Sequence, residues 1–445
     1  MRNFVFISPH FPDTYYRFCA ALRRNGFRVL GVGDCPYSQL AQEVKDSLDE
    51  YYYCWDMENF DNERRAVEYF ERRYGHIDFI ESNNEYWLEK DAWLRDNFGV
   101  TTGINGEGIK VYQHKSMMKE RFIKAGCKVA KYILVDSYEN FMNFVKEVGF
   151  PVFCKPDMGV GAEGDYKIEN DEDIRYFFTN KNPNITYICE QFVTGNIISF
   201  DGVCDSNSEV LFCDSECFPP SIADIVKSHG DAFYYCLPEV PADVLDIGKR
   251  VIKAFEVKNR FFHIEFFRLT KNIKGLGKIG DIIPLETNMR PPGGYTPDLI
   301  NFANSVDCYQ IYADSMAYDD NYQRMDYPKY FAAVASRRDG VEYFYNDDEL
   351  LYTFRDHLCN VGRYPPVLSG AMGDRFFMAK FDNLEDVELF HQYANRRAGE
   401  LNIGRMIHDY KPKKRKPGKG ESICDIHIDG AWYKWERLLK TKQLI

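Results

Sequence analysis

Over the first hundred residues, short apolar runs alternate with stretches of helical spacing. Residues 3–8 read as a buried strand, 13–25 as a helix ending at Gly26, and 27–32 as a second strand running into Gly33-Asp34. The alternation continues with a strand at 51–54, a helix at 63–73, a strand at 77–81 and a helix at 85–98 closed by Gly99. This order predicts a small parallel sheet covered on both faces. Ligands of such sheets bind beyond the carboxyl ends of the strands. Those ends carry Ser8-Pro9-His10, Gly33-Asp34 and Glu81-Ser82-Asn83-Asn84-Glu85. No GxGxxG follows the first strand, which argues against a dinucleotide site. His10 reads either as a loop histidine or as a substrate contact.

The middle of the chain changes character. His114-Lys115-Ser116 opens a helix, with Ser116 as candidate N-cap and Gly126 past its end. A lysine there opposes the helix dipole, unless an anion sits beside it. An apolar strand ends at Lys155 and is followed by Gly159-Val160-Gly161-Ala162-Glu163-Gly164. Backbone donors of such a loop can cover phosphates, although the GK[ST] ending of a P-loop is missing. Residues 186–193, 197–204 and 210–214 read as an antiparallel meander turning at Thr194-Gly195-Asn196 and at Ser206-Asn207-Ser208. The 218–236 segment, with Ser228-His229-Gly230 inside it, is irregular, and loops of that length are usually functional. Residues 242–255 and 299–318 have helical spacing. Strands at 331–337 and 375–381 and helices at 347–355 and 384–396 then suggest a small α/β closing region. A basic Pro/Gly-containing run at 411–420 reads as a solvated linker, and 423–435 as a short β segment.

The chemistry concentrates between His263 and Tyr295. Two apolar runs, the aromatic-rich 262–270 and 281–289, flank a Gly/Lys-rich connector and predict a hairpin. Pairing about the centre of the loop sets Thr270 opposite Asp281 and Glu265 opposite Glu286. Facing carboxylates repel unless something positive lies between them. Asn288 shares a face with Glu286. Glu265, Glu286 and Asn288 thus offer oxygen ligands alone, which suits magnesium. Arg290 and the Pro291-Pro292-Gly293-Gly294 turn follow, where backbone N–H groups can approach an anion. An ordinary hairpin with a solvated acidic face is the alternative.

Composition narrows the class. A chain of 445 residues should form two to four domains. A net charge of −12 argues against a general nucleic-acid binder. No 18-residue apolar run and no leader pattern is present, so neither a membrane span nor secretion is expected. Thirteen scattered cysteines point to a reducing, cytoplasmic setting. Cys204, Cys213 and Cys217 lack the paired spacing of a zinc site.

Five segments in this order resemble the ATP-grasp superfamily, in particular its carboxylate–amine ligase branch. They are HKSMMKERFIKAG, GFPVFCKPDMGVGAEG, YICEQFVTGN, HIEFF and LETNMRPPGG. The resemblance covers roughly residues 1–410. It implies an α/β chain of the ATP-grasp fold: an N-terminal parallel α/β domain (1–105), an ATP-grasp domain with antiparallel sheets (106–318) and a C-terminal closing region (319–410). A basic tail (411–445) would follow. It further implies that Lys115 and Lys155 bind ATP phosphates under the Gly159, Gly161 and Gly164 loop. Glu190 and Val193 would receive adenine, and Glu265, Glu286 and Asn288 would hold magnesium, or manganese in its place. Arg290, with Lys155, would act at the transferred phosphoryl group. Glu85, His229, Gly293 and Gly294 are substrate-side candidates. The implied activity joins a small carboxylate to an amine through an acyl phosphate, releasing ADP and phosphate, and homodimers are common among such proteins. A carboxylate–thiol ligase, a kinase, and a nucleotide-binding sensor without catalysis are the alternatives. Ile197 stands where the family often has a ribose-binding Glu, Ala162 where the loop often has a serine, and Met289 where proline is frequent.

Overall fold

The computed structural model describes residues 1–159, 164–219 and 230–400, together with strand residues 425–428 and 431–434. The first unit is the expected parallel sheet: β1 (Asn3–Ile7), β2 (Arg28–Gly33), β3 (Glu50–Tyr53) and β4 (Phe79–Glu81), in the order β3-β2-β1-β4. β1 is buried along its whole length, as a central strand covered on both faces must be. Helices α1 (Tyr16–Arg24), α2 (Phe60–Tyr74) and α3 (Leu88–Phe98) cover it. Asn59 caps α2 by accepting from the Asp61 N–H, and Gly99 ends α3 at φ +63°, where a Cβ would be strained. α3 starts three residues later than its apolar pattern suggests. Asn84 organises a turn first, its carbonyl accepting from Trp87 N–H and its side chain from Tyr86 N–H. That turn leaves Glu85 in the loop above the sheet.

The second sheet holds β5 (Tyr132–Leu134), β6 (Val152–Pro156), β7 (Tyr166–Ile168) and β8 (Tyr187–Gln191), in the order β5-β8-β6-β7 with every pairing antiparallel. Among the described elements, α4 (Lys115–Lys124) precedes it. Helices α5 (Tyr138–Val148) and α6 (Asp171–Asn180) supply Phe141, Phe144, Ile174 and Phe177 to its apolar face.

The third sheet is the largest. It contains β9 (Gly195–Cys204), β10 (Val210–Asp214), β11 (Glu216–Phe218), β12 (Phe233–Cys236), β13 (Arg260–Leu269) and β14 (Ile282–Asn288). It continues through β15 (Phe331–Arg337), β16 (Leu358–Arg363), β17 (Arg375–Phe381), β18 (Asp425–Ile428) and β19 (Ala431–Lys434). The meander expected from 186 to 214 is therefore only half present. β9 and β10 form a hairpin, but β8 and β9 belong to different sheets. β9 pairs instead with β13 along ten residues, from Gly195–Leu269 to Cys204–Arg260, a longer ladder than β8 could offer. The chain passes from one sheet to the other at residues 192–194.

Helix α7 (Ala242–Phe255) lies on β9 and occupies its expected bounds. Its Gly248 is required by the packing, because a Cβ there would sit 2.3 Å from the Phe200 ring. The single helix expected over 299–318 is two, α8 (Thr296–Asn304) and α9 (Cys308–Tyr318). Ser305 adopts φ +56° and breaks the first, and the Asp307 carboxylate caps the second. In the closing region α10 (Asp347–Phe354) and α11 (Leu384–Asn395) pack on β15, β16 and β17.

The parallel sheet is joined to the large one through charge. Arg260 opens β13 fully buried, and its Nη2 donates to Glu81 Oε2 at 2.5 Å, at the end of β4. Arg95 of α3 reaches the other oxygen of Glu81 at 3.2 Å. Removing one partner of a buried pair strands the other. Arg260→Met should therefore lower stability by on the order of 3 kcal/mol. Chemical denaturation of the variant against the parent protein measures this.

Candidate active site

The start of α4 is built by a residue far away in sequence. His114 stands at the N-cap in extended conformation and makes no side-chain cap. Asp157, just past β6, fills that role. Its Oδ1 accepts from Ser116 N–H at 2.8 Å, and its Oδ2 accepts from Ser116 Oγ at 3.0 Å and lies 2.9 Å from His114 Nδ1. Ser116 is thus inside the helix rather than its cap, because Asp157 offers a charged acceptor to the same free N–H groups. The Asp157 carbonyl also accepts from Lys115 N–H, and Lys115 Nζ donates to the Gly159 carbonyl at 3.0 Å. Lys115 is thereby anchored to the stem of the glycine loop. Gly159 and Gly164 flank that loop at φ +148° and +83°. Gly161 and Ala162 lie outside the described residues, as does His229.

Lys155 and Glu190 face each other from neighbouring strands of the second sheet. Lys155 Nζ is 3.5 Å from Glu190 Oε2, and Lys119 Nζ of α4 is 3.0 Å from Oε1. Burial opposes the Glu190 charge, but the two lysines outweigh it and hold the carboxyl down to about 2. Burial likewise opposes the charge on Lys155, and Glu190 and Glu286 raise it. Val193 lies in the crossover between sheets, its side chain packed near Leu269 and Ile283. Lys119 escaped the sequence reading, although its spacing of four from Lys115 puts both on one helix face.

The hairpin of β13 and β14 sets Glu265 directly opposite Glu286 and His263 opposite Asn288. A bulge after Glu265 then shifts the register by one, so Asp281 accepts from Leu269 N–H and does not face Thr270. Asn288 Nδ2 donates to Glu286 Oε1 at 3.3 Å. Burial, Glu85 and Glu265 push the Glu286 carboxyl up, while Lys115 and Lys155 pull it back. His263 Nδ1 is 2.5 Å from Asp201 Oδ1 on β9, and its Nε2 is 3.6 Å from Glu265 Oε1. Burial disfavours the imidazolium, but these two carboxylates raise it to about 10. The pairing of β13 with β9 that brings Asp201 to His263 left no mark in the local sequence.

Arg290 donates from Nε at 3.0 Å and from Nη2 to Glu85 Oε2, joining the end of β14 to the loop above β4. Burial works against both charges. Arg290, with smaller help from His263 and Lys115, nonetheless holds the Glu85 carboxyl below its ordinary range. Tyr15 lies beside this pair and donates to the Asn83 carbonyl. Gly294 turns the chain at φ +61°, and the Gly293 carbonyl accepts from Thr296 N–H. Glu85, Lys115, Lys155, Glu190, Glu265, Glu286, Asn288 and Arg290 are thus brought into one connected charge network from all three sheets. The donor set of Glu265, Glu286 and Asn288 is entirely oxygen, and the mutual repulsion raising Glu286 is what a divalent cation would relieve.

A second buried acidic group lies deeper in the large sheet. Asp214, Glu216 and Cys236 bring one potential ligand atom each within 4.8 Å of one another. Burial pushes the Asp214 carboxyl up to about 8 and the Glu216 carboxyl well above its ordinary range.

No family model matches the chain. It is 23% identical over 256 residues to the L-arginine-specific L-amino acid ligase of Bacillus subtilis, covering 56% of this chain and 60% of that protein. The chain therefore spans less than two thirds of the length of that relative. Among solved structures, the L-amino acid ligase of Bacillus licheniformis superposes with a TM-score of 0.64 at 13% identity, covering 88% of this chain and 96% of that one. The biotin carboxylase domain of the Hydrogenobacter thermophilus 2-oxoglutarate carboxylase, solved with MgADP, ADP and bicarbonate, gives 0.65 at 15% identity, covering 88% and 89%. The chain has the ATP-grasp fold. Within that fold, it is similar to carboxylate–amine ligases.

Asp157→Ala should cost about 1–2 kcal/mol of stability through the lost cap, and loosen the first turn of α4. Thermal unfolding measures the first effect, and hydrogen exchange at residues 114–118 the second.

Proposed function

We propose that the chain is an ATP-dependent ligase that activates a small carboxylate as an acyl phosphate and joins it to an amine. The observation carrying this reading is the convergence of Lys115, Lys155, Glu85, Glu265, Glu286 and Arg290 at one place between three sheets. A site of opposed carboxylates and buried cations suits a polyphosphate better than an apolar ligand. Residues 106–318 would carry the nucleotide, residues 1–105 the substrate side, and 319–410 the closing region.

Lys115 and Lys155 supply fixed positive charge for the β and γ phosphates. Gly159, Gly161 and Gly164 are assigned to the phosphates, which backbone N–H groups of glycines suit. The strand end at Glu190 and Val193 receives the adenine. Glu265, Glu286 and Asn288 would hold magnesium, or manganese in its place, which neutralises phosphate charge when bound. A substrate carboxylate oxygen attacks the γ-phosphorus and ADP leaves. The amine nitrogen then attacks the acyl carbon, loses a proton, and phosphate leaves. Arg290 stands where negative charge builds on the phosphoryl oxygens. Glu85, on the edge of the parallel sheet, holds Arg290 and offers a negative group to the substrate side, with Gly293, Gly294 and His229 as further candidates there.

Amino acids are the substrate class favoured by the relatives, two of which are named as L-amino acid ligases. None of the twelve cysteines among the described residues is in a disulfide, which fits a reducing, cytoplasmic setting. No helix among these residues is long and apolar enough to cross a membrane. Homodimerisation is left to the same reading.

Incubation with ATP, magnesium and pools of amino acids and small carboxylates tests the proposal. ADP and phosphate should appear only with particular pools, and splitting those pools names the substrates. Formation of AMP would sink the acyl-phosphate route. Glu286→Gln should reduce turnover to below about 1% while leaving the melting temperature within a few degrees. Normal turnover in that variant would remove the metal assignment.

A further inference from the structure

Lys119 is buried, and none of the roles above employs it. It follows Lys115 by one helical turn on α4, so both side chains project toward the second sheet. The Glu190 carboxylate has two cationic partners, one on each oxygen: Lys119 at 3.0 Å and Lys155 at 3.5 Å. The three groups come from three elements, α4, β6 and β8. Lys119 is further held over the Tyr132 ring, 5.6 Å from its centre, on the strand next to Glu190. Lys119 thus makes the shorter of these two contacts to Glu190 and is itself anchored over Tyr132, while the longer contact to Glu190 belongs to Lys155.

We propose that Lys119 is a positioning residue, a resident counter-ion for Glu190 that leaves Lys155 free to turn to the polyphosphate. The inference rests on the nucleotide reading above and assigns a residue which that reading did not need. A buried carboxylate stripped of its only partner is strongly disfavoured. With Lys119 absent, Lys155 would be the sole partner of Glu190 and would be held there, away from the phosphates. With Lys119 present, Glu190 keeps a partner whichever way Lys155 turns. No bond is made or broken in this exchange, and no proton moves.

Calorimetric titration of the full chain with Mg–ATP and with adenosine, in the parent protein and in Lys119→Met, tests this. Mg–ATP affinity should fall at least about 10-fold, while adenosine affinity stays within about 2-fold, since adenosine has no phosphate to draw Lys155. Lys119→Arg, which keeps the charge, should bind Mg–ATP within about 3-fold of the parent. Adding Glu190→Gln to Lys119→Met removes the carboxylate charge that traps Lys155, and should restore affinity to that of Glu190→Gln alone. That double variant also serves if Lys119→Met folds poorly. An equal loss for adenosine and Mg–ATP would place Lys119 in the adenine pocket or the fold and overturn the proposal. Unchanged Mg–ATP affinity in Lys119→Met, or no recovery in the double variant, would do the same. A parent protein that binds no Mg–ATP would instead defeat the nucleotide reading itself, before any variant is compared.

Discussion

Glu265 and Glu286 face each other across a β ladder, on strands only about 5 Å apart. Left alone, that arrangement is unfavourable, and burial of Glu286 makes it worse. Much of the surrounding architecture answers it. Lys115 is brought from the start of α4, Lys155 from the end of β6, and Arg290 from the end of β14. His263 carries a proton between Asp201 and Glu265. These cations come from a helix, the second sheet and the β13–β14 hairpin of the large one. A site of this kind cannot be assembled by one segment, and it explains why three sheets meet there.

Much of this was legible because β structure has a short period. Pairing 262–270 with 281–289 about the centre of their loop set Glu265 against Glu286, as the structure has it, although the loop side of the ladder is offset by one residue. The bulge after Glu265 escaped, because the extra residue, Leu285 on β14, leaves no signature in an apolar run. The parallel sheet followed from strand–helix alternation, and α7 from an uninterrupted apolar stripe. The break at Ser305 was hidden, since its neighbours on both sides keep helical spacing.

What the sequence concealed was partnership over distance. Asp157 caps a helix that begins 42 positions earlier, and nothing near Ser116 distinguishes it from an ordinary N-cap. Lys119 meets Glu190, and Asp201 meets His263, only because α4 reaches the second sheet from its place against α7 and β14, and β9 pairs with β13. The break between β8 and β9 has the same origin. Thr194-Gly195-Asn196 has the composition of a hairpin turn, but the chain changes sheets at residues 192–194, and Gly195 and Asn196 already pair with β13. Local turn chemistry sets where a chain can bend, while the longer ladder available on β13 decides where it goes.

The two carboxylates flanking the loop above β4 show how one junction serves two purposes. Glu81 pairs with Arg260 and Glu85 with Arg290, so the same loop is tied at both ends to the β13–β14 hairpin. The first pair is sealed, its side chains 3% and 1% exposed, and the second is open, at 25% and 16%. A sealed pair is costly to separate, because neither ion regains water until the sheets part. An open pair can exchange partners at small cost, because solvent or a charged ligand takes over as the contact breaks. The inner pair therefore sets the distance between the parallel sheet and the hairpin. The outer pair, four residues further on, is free to yield Arg290 or Glu85 to a ligand without disturbing that distance. The division follows from burial alone, and it leaves the more exposed end of the junction at the carboxyl edge of the parallel sheet.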